Sequence, residues 1–236
     1  MKNFPTSHSI VDIKKWGSTI LRKVGLSNAA QEVDWYLNSI SKTDVLNPTQ
    51  RLNHIEIKKF KNFISDRANN KPFQYIIQSA PFYGEFFFVN QHVLIPRPET
   101  ELIIRILSNK KPFYNAIDIG TGSGNLGITI CLNNFAKKVI GTDKSHNALT
   151  VAKQNAKQLN VSNIHFQYHD FLQHTLNQQY DLVVSNPPYI SKNEYKELEP
   201  HIKNFEPKIA LTDGVDGMIF YRQFALSLKD ILKPGG

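Results

Sequence analysis

The sequence contains a single cysteine, Cys131, among its 236 residues. One thiol can form neither a disulfide framework nor a cluster of thiolate metal ligands, so we expect the protein to reside in a reducing cytoplasm. No stretch approaches the roughly 20 apolar residues of a membrane-spanning helix, and residues 1–5 do not begin a signal peptide. The eight histidines include no pair at metal-ligand spacing. The sequence therefore predicts neither a membrane protein nor a metalloprotein.

Acidic residues are also scarce, since 20 Asp and Glu stand against 28 Lys and Arg for a formal net charge of +8. Such an excess favours an anionic partner, for example nucleic acid, an acidic protein or a ribonucleoprotein. The basic residues are spread along the chain, however, and cluster only briefly at 58–61 and 110–111. A solvated, lysine-rich surface explains most of this charge, so a nucleic-acid partner is not required.

The N-terminal third of the chain has the spacing of helices. Its hydrophobic residues recur with helical periodicity in three segments, which are 9–24, 29–40 and 55–69. The loop 25–28 and the pair Asn47-Pro48 separate these segments. This pattern predicts a small helical domain over residues 1–70, with Trp16, Trp35 and Tyr36 in its core.

The pattern changes after this helical region. Residues 71–88 are rich in β-forming and turn residues, which predicts a β-hairpin within a linker over 71–100. From residue 115 onward, short apolar strands alternate with helices, as in a doubly wound parallel sheet. The chain is therefore predicted to be an α/β protein in which a helical domain and a linker precede the sheet.

The most informative motif is Asn186-Pro187-Pro188-Tyr189, which follows the apolar run 180–185 directly. The prolines fix φ near −65° and lack N–H donors, so the turn is stiff and its carbonyls are free. The Asn186 side-chain oxygen and the Pro187 carbonyl can accept both N–H bonds of a planar –NH2 group, while Tyr189 covers its face. The nitrogen lone pair then stays free to attack an electrophile. The competing interpretation is an ordinary Asn-Pro turn after a buried strand.

A second motif is the glycine loop Gly120-Thr121-Gly122-Ser123-Gly124, which lies between a predicted strand, 115–119, and a predicted helix, 126–132. Glycines let the backbone approach a ligand closely, and a helix N-terminus favours polar or anionic groups. Residues 122–127 also match the dinucleotide fingerprint, although a lone match is weak. Asp118 at the strand end suits an amino group better than a pyrophosphate. We therefore interpret the loop as a site for S-adenosyl-L-methionine.

An acidic residue ends the next predicted strand. Residues 138–142 form this strand, Asp143 follows it, and a helix is predicted over 148–158. A carboxylate at this position can accept hydrogen bonds from two ribose hydroxyls. Asp143 is therefore predicted to bind the ribose of the cofactor.

The order of the motifs resembles that of one enzyme family. Phe82-Tyr83-Gly84 and the run 93–101, Val-Leu-Ile-Pro-Arg-Pro-Glu-Thr-Glu, resemble the linker signature of the peptide chain release factor N5-glutamine methyltransferases (the HemK/PrmC family). The glycine loop, Asp143, Asp170-Phe171, the Asn-Pro-Pro-Tyr turn and Phe205-Glu206-Pro207 follow in the order of that family. The resemblance covers the chain from about Arg67 onward.

This resemblance implies a fold and a reaction. The fold would be a doubly wound, Rossmann-like methyltransferase sheet over 101–236, preceded by a small all-helical N-terminal domain that docks the substrate and by the hairpin linker. The reaction would transfer a methyl group from S-adenosylmethionine to the glutamine side chain in the Gly-Gly-Gln loop of class I peptide chain release factors. The chain stops at Lys233-Pro234-Gly235-Gly236, where this fold usually continues into its last antiparallel strand pair. That C-terminal strand pair is therefore expected to be missing.

The resemblance also assigns roles to residues. Asp118 and the glycine loop would hold the methionine portion of the cofactor, Phe171 would lie against the adenine, and Asn186 would contact cofactor as well as substrate. The catalytic residues would be Asn186, Pro187 and Tyr189, and Pro188 would complete the turn that holds the glutamine. Arg97 and Glu99 in the linker signature are expected to shape the substrate entrance.

Three alternatives remain open from the sequence. An adenine-N6 nucleic-acid methyltransferase uses the same type of cleft for a flipped base, although the linker signature favours the glutamine enzymes. A ribosomal-protein glutamine methyltransferase differs outside these motifs and is separated less well. An inactive, truncated remnant that only binds a partner is the third alternative.

Overall fold

The computed structural model describes residues 4–41 and 50–236. Residues 1–3 and the predicted separator Asn47-Pro48 lie outside the described residues. The chain divides into two compact units, an N-terminal unit over Met1–Ile77 and a C-terminal unit over Gln78–Gly236. The finer division into 1–70, 71–100 and 101–236 stays a prediction.

The N-terminal unit is helical, as the periodicity predicts. Its helices are α1 (Ile10–Lys23), α2 (Ala29–Ile40), α3 (His54–Ala68) and α4 (Phe73–Ile77). The first three agree with the predicted segments to within about one residue at each end. The fourth was not expected, because residues 71–88 were predicted to form a hairpin; five residues are too few to show a helical period.

Aromatic rings fill the core of this unit. Phe60 and Phe63 are fully buried, and Tyr36 stacks on Phe63 with 4.1 Å between the ring centroids. Trp16 packs against the same core, as predicted. The prediction for Trp35 was wrong, because 51% of this residue is exposed.

The C-terminal unit begins with a short hairpin. Strands β1 (Ala80–Phe82) and β2 (Glu85–Phe87) pair antiparallel through a turn at Tyr83-Gly84, where both residues have positive φ. The hairpin is therefore present but shorter than the segment predicted for it. A single 3₁₀ turn (Pro98–Thr100) leads directly into α5 (Glu101–Leu107).

A parallel sheet forms the centre of this unit. Its strands are β3 (Phe113–Ile119), β4 (Ala136–Asp143), β5 (Ile164–Tyr168) and β6 (Leu182–Ser185), in the order β5-β4-β3-β6. Helices α6 (Asn125–Leu132) and α7 (His146–Gln158) connect the first three strands. All three pairings are parallel. The predicted α/β fold with a Rossmann-like sheet is confirmed.

Four helices follow the sheet along the chain. They are α8 (Lys192–Glu197), α9 (Pro200–Phe205), α10 (Lys208–Leu211) and α11 (Ile219–Ile231). A parallel bridge between Tyr180 and Leu232 lies next to the start of β6. In the described parts of the chain, no helix is both long and apolar enough to cross a membrane.

Candidate active site

The two predicted motifs lie at the point where the strand order of the sheet reverses. Strand β3 has β4 on one side and β6 on the other. In open α/β sheets, a crevice for ligands lies outside the carboxyl ends of the strands at such a point. The glycine loop (120–124) follows β3, and the Asn-Pro-Pro-Tyr turn (186–189) follows β6. Both motifs therefore border one crevice.

The first cavity in this crevice lies over the glycine loop. It is lined by residues at or directly after the carboxyl ends of all four strands of the sheet. Most residues predicted to bind cofactor line it: Asp118, Gly120, Thr121, Gly122, Ser123, Asp143, Phe171 and Asn186. Gly124 does not line the cavity; it caps α6 with φ at 81°, and a Cβ there would lie 2.8 Å from Ile128 Cδ1.

The Asp118 carboxylate accepts hydrogen bonds from the glycine loop and from the helix that follows it. It is 1% exposed, and its Oδ2 accepts hydrogen bonds from Thr121 Oγ1 at 2.6 Å and from the Gly127 amide at 3.0 Å. Its other oxygen, Oδ1, is buried and has no hydrogen-bond partner within residues 4–41 and 50–236. Burial raises the pKa of Asp118 to about 6. A cationic group beside Oδ1 would favour the ionised carboxylate again.

Asp143 ties the glycine loop to the end of β4. Its Oδ2 accepts a hydrogen bond from the Gly122 amide, and its Oδ1 accepts one from the Ser145 amide, both at 2.9 Å. Burial raises the pKa of Asp143, while these backbone donors oppose the shift. Because each carboxylate oxygen can accept more than one hydrogen bond, Asp143 can hold the loop and still accept ligand hydroxyls.

An aromatic wall closes another side of the first cavity. Phe171 is 4% exposed and packs on Phe224, with 4.7 Å between the ring centroids, and on Phe220. His169 also lines the cavity, and its Nε2 atom is buried without a hydrogen-bond partner in the described part of the chain. Burial lowers the pKa of His169. This histidine was not predicted as a site residue from the sequence, although its position directly after the carboxyl end of β5 is a signal for one.

A second cavity lies beyond the Asn-Pro-Pro-Tyr turn. It encloses about 580 Å³ including open space, and Asn186, Pro187 and Tyr189 line it. Pro188 lines the first cavity instead. Asn186 belongs to both cavities, as do Leu94 and Ala210. Asn186 therefore lies at the junction of the cavity over the glycine loop and a second, mostly apolar cavity.

Arg97 lines the second cavity and also forms an ion pair that was not predicted from the sequence. Its Nη2 atom lies 2.6 Å from Glu206 Oε1, and the Glu206 side chain is only 1% exposed. The other carboxylate oxygen of Glu206 accepts a longer hydrogen bond, 3.4 Å, from the Ile95 amide. Glu99 is exposed and is not among the residues that line either cavity. Its role at the substrate entrance stays a prediction.

Comparisons with known proteins agree on one family. A family model described as the PrmC N-terminal domain matches residues 12–77, and one described as a methyltransferase small domain matches residues 98–202. The release factor glutamine methyltransferase of Bacillus cereus is 38% identical over 234 residues, which cover 95% of this chain and 82% of that protein. The protein of the same name from Bacillus subtilis is 35% identical with the same coverage. This chain belongs to the release factor glutamine methyltransferase family.

The membership confirms the family recognised from the sequence. It also confirms the predicted enzyme class, a methyltransferase that uses S-adenosylmethionine.

A bifunctional methyltransferase from Rickettsia felis is 30% identical, over 97% of this chain and 50% of that protein. Among solved structures, an S-adenosylmethionine-dependent methyltransferase from Geobacter sulfurreducens is 20% identical, with a TM-score of 0.38 over 59% of this chain and 46% of that one.

The first cavity of this family member fits S-adenosylmethionine chemically. The unpartnered, buried Asp118 oxygen suits the cationic amino group of a methionine moiety. A Cβ built on Gly120 meets nothing within 4 Å, and a Cβ built on Gly122 meets only the Gly120 carbonyl at that distance, so a ligand can lie close to the loop backbone. Phe171 presents an aromatic wall for a flat base.

Proposed function

We propose that this protein transfers a methyl group from S-adenosylmethionine to the side-chain nitrogen of the glutamine in the Gly-Gly-Gln loop of class I peptide chain release factors. Asn186 carries the proposal, because it lines both cavities and so borders the cofactor site and the substrate site at once. The substrate comes from the names of the Bacillus cereus and Bacillus subtilis relatives, which are release factor glutamine methyltransferases.

In this proposal the first cavity binds and orients the methyl donor. The glycine loop and Asp118 hold the methionine portion, Asp143 accepts the ribose hydroxyls, and Phe171 contacts the adenine. S-adenosylmethionine supplies, when bound, a methyl group that its sulfonium already activates. The protein therefore has to align the reacting atoms and exclude water rather than generate a reactive group of its own.

The second cavity holds the substrate amide. The Asn186 side-chain oxygen and the Pro187 carbonyl accept its two N–H groups, and Tyr189 covers its face. These hydrogen bonds strengthen as the nitrogen gains positive character, which stabilises the transition state more than the ground state. None of the described residues that line this cavity carries a carboxylate or an imidazole. The proton is therefore released to solvent after the methyl group has moved.

The proposal includes the partner and its location. The partner is a class I release factor in the cytoplasm, with no membrane and no nucleic acid required. The N-terminal unit, which matches the family's N-terminal domain, is assigned to docking this partner. Arg97 and Glu99 are assigned to the substrate entrance, and Arg97 is supported in this role by its place in the lining of the second cavity.

The test is a radiolabelled methyl-transfer assay on a purified class I release factor, with the loop glutamine replaced as a control substrate. Asn186→Ala should lower kcat by about 10²-fold or more, while calorimetry shows S-adenosylhomocysteine binding within about threefold of wild type. Asn163→Ala is the matched control, because Asn163 precedes β5 at the opposite end of the sheet. Methylation of adenine in DNA, with none on the release factor, would contradict the proposal.

A further inference from the structure

The Asn186 side chain is held from one side only. Its Nδ2 atom donates a hydrogen bond to Thr100 Oγ1 at 3.1 Å. Its oxygen, Oδ1, accepts no hydrogen bond from any residue that the structure describes. One end of the carboxamide is thus anchored, and the acceptor end is left for a ligand at the junction of the two cavities.

The orientation of this carboxamide decides what it can bind. An asparagine side chain presents an acceptor at one end and two donors at the other. If a substrate –NH2 group faced the Nδ2 end, hydrogen-bond donors would oppose each other. Only the Oδ1 end can accept the hydrogen atoms of the substrate. A contact to Nδ2 limits rotation about the terminal side-chain bond, and in the observed orientation it leaves Oδ1 free to accept the hydrogen atoms of the substrate.

Thr100 is well suited to be that contact. It is 7% exposed, and as a β-branched residue it has few side-chain rotamers, so its hydroxyl is held in place. Thr100 ends the 3₁₀ turn Pro98–Thr100, in which its amide donates to the Arg97 carbonyl at 3.1 Å. The ion pair of Arg97 with buried Glu206 anchors the start of this turn. The ion pair between Arg97 and Glu206, which are distant in sequence, therefore holds in place the turn whose Thr100 hydroxyl accepts the hydrogen bond of Asn186.

We propose that Thr100 is a positioning residue of this enzyme: its hydroxyl holds the Asn186 carboxamide with the oxygen directed at the substrate amide. The proposal rests on the proposed function for the identity of that amide. It gives a role to the threonine that precedes Glu101 in the linker signature, since its short side chain carries an acceptor for Nδ2.

The first experiment compares variants at Thr100 by kinetics on the release factor. Thr100→Val removes the hydroxyl without changing the shape and should lower kcat by about 10-fold to 100-fold, with S-adenosylhomocysteine affinity unchanged. Thr100→Ser keeps the hydroxyl and should stay within about fivefold of wild type. Thr129→Val is the matched control, because the buried Thr129 hydroxyl has no partner among the described residues. It should leave kcat unchanged.

A double-mutant cycle separates positioning from general damage to the fold. If Thr100 acts through Asn186, Thr100→Val should cause no further loss of kcat in an Asn186→Ala background. Equal fold losses in both backgrounds would overturn the proposal. So would a kcat of Thr100→Val equal to that of wild type.

A spectroscopic measurement keeps the proposal independent of turnover. The side-chain ¹⁵N–¹H₂ signals of Asn186, assigned from their loss in Asn186→Ala, should shift in Thr100→Val and be retained in Thr100→Ser. Signals that are the same in wild type and Thr100→Val would overturn the proposal. A wild-type protein that methylates no release factor would instead contradict the proposed function, and the spectra would still test the contact.

Discussion

The pH dependence of stability should report on the buried carboxylate beneath the glycine loop. In Asp118→Asn, the remaining side-chain oxygen can still accept the hydrogen bonds that Thr121 and Gly127 now donate to Oδ2. The substitution therefore removes the charge and keeps the bracing of the loop. It places an amide group where Oδ1 is now buried without a partner among the described residues, at an energetic cost that does not depend on pH.

The size of the expected change in the free energy of unfolding follows from the shift of the Asp118 pKa. Burial raises the pKa of Asp118 from 3.8 to about 6, and a shift of this size corresponds to about 3 kcal/mol. Because the folded state holds the proton more tightly, the destabilisation is absent below the unfolded pKa, grows as the pH rises from about 4 to about 6, and is complete above that. Between those limits, the free energy of unfolding of wild type should fall by about 3 kcal/mol relative to Asp118→Asn.

A bound ligand with an amino group should change this profile. A cation beside Oδ1 favours the ionised carboxylate, so it lowers the pKa of Asp118 and lessens the loss of stability above pH 6. By linkage, S-adenosylhomocysteine should bind more weakly as the pH falls through about 6. In Asp118→Asn, both the pH dependence of binding in this range and part of the affinity should be lost.

The chain contains separate probes for its two units. Cys131, the single cysteine, is buried in α6 of the C-terminal unit, and burial raises the pKa of its thiol to about 12. Its reaction with a dipyridyl disulfide in urea therefore follows unfolding of that unit. Both tryptophans, Trp16 and Trp35, belong to the N-terminal unit, so their fluorescence is an internal control. A difference between wild type and Asp118→Asn that stays constant from pH 4 to pH 8 would refute the reasoning.

The sequence predicted most of the regular elements because their periodicity extends over enough residues. Segment 29–40 was predicted as a helix and is α2 without change, and the strand predicted over 138–142 is longer by two residues at its start and by Asp143 at its end. The crevice was also predictable, since the motifs follow two strands and parallel strands place their carboxyl ends at one edge of the sheet. Short helices were missed: α4, α8, α9 and α10 have four to six residues each, too few for a hydrophobic period.

Contacts between distant residues could not be predicted from local patterns. Arg97 was grouped with Glu99, two positions away, whereas its partner in the structure is Glu206, 109 positions along the chain. The hydrogen bond between Thr100 and Asn186 spans 86 positions. One sequence without aligned relatives carries no signal for such pairs. The motif residues were thus recognisable, and the residues that orient them were not.

Two further predictions concern the residues around the cavities. Asp143→Ala should weaken S-adenosylhomocysteine binding by about 2–4 kcal/mol in calorimetry, because two charge-assisted hydrogen bonds to the ribose are lost; unchanged affinity would remove the assignment. For the Arg97–Glu206 ion pair, Arg97→Met should destabilise the C-terminal unit in urea by about 3 kcal/mol, since it leaves a carboxylate that is 1% exposed without its cation. Glu206→Gln should cost only about 1 kcal/mol, because the guanidinium is 29% exposed and water can solvate it. Equal losses of stability in Arg97→Met and Glu206→Gln would contradict this reasoning, which assigns the larger cost to the buried carboxylate left without its cation.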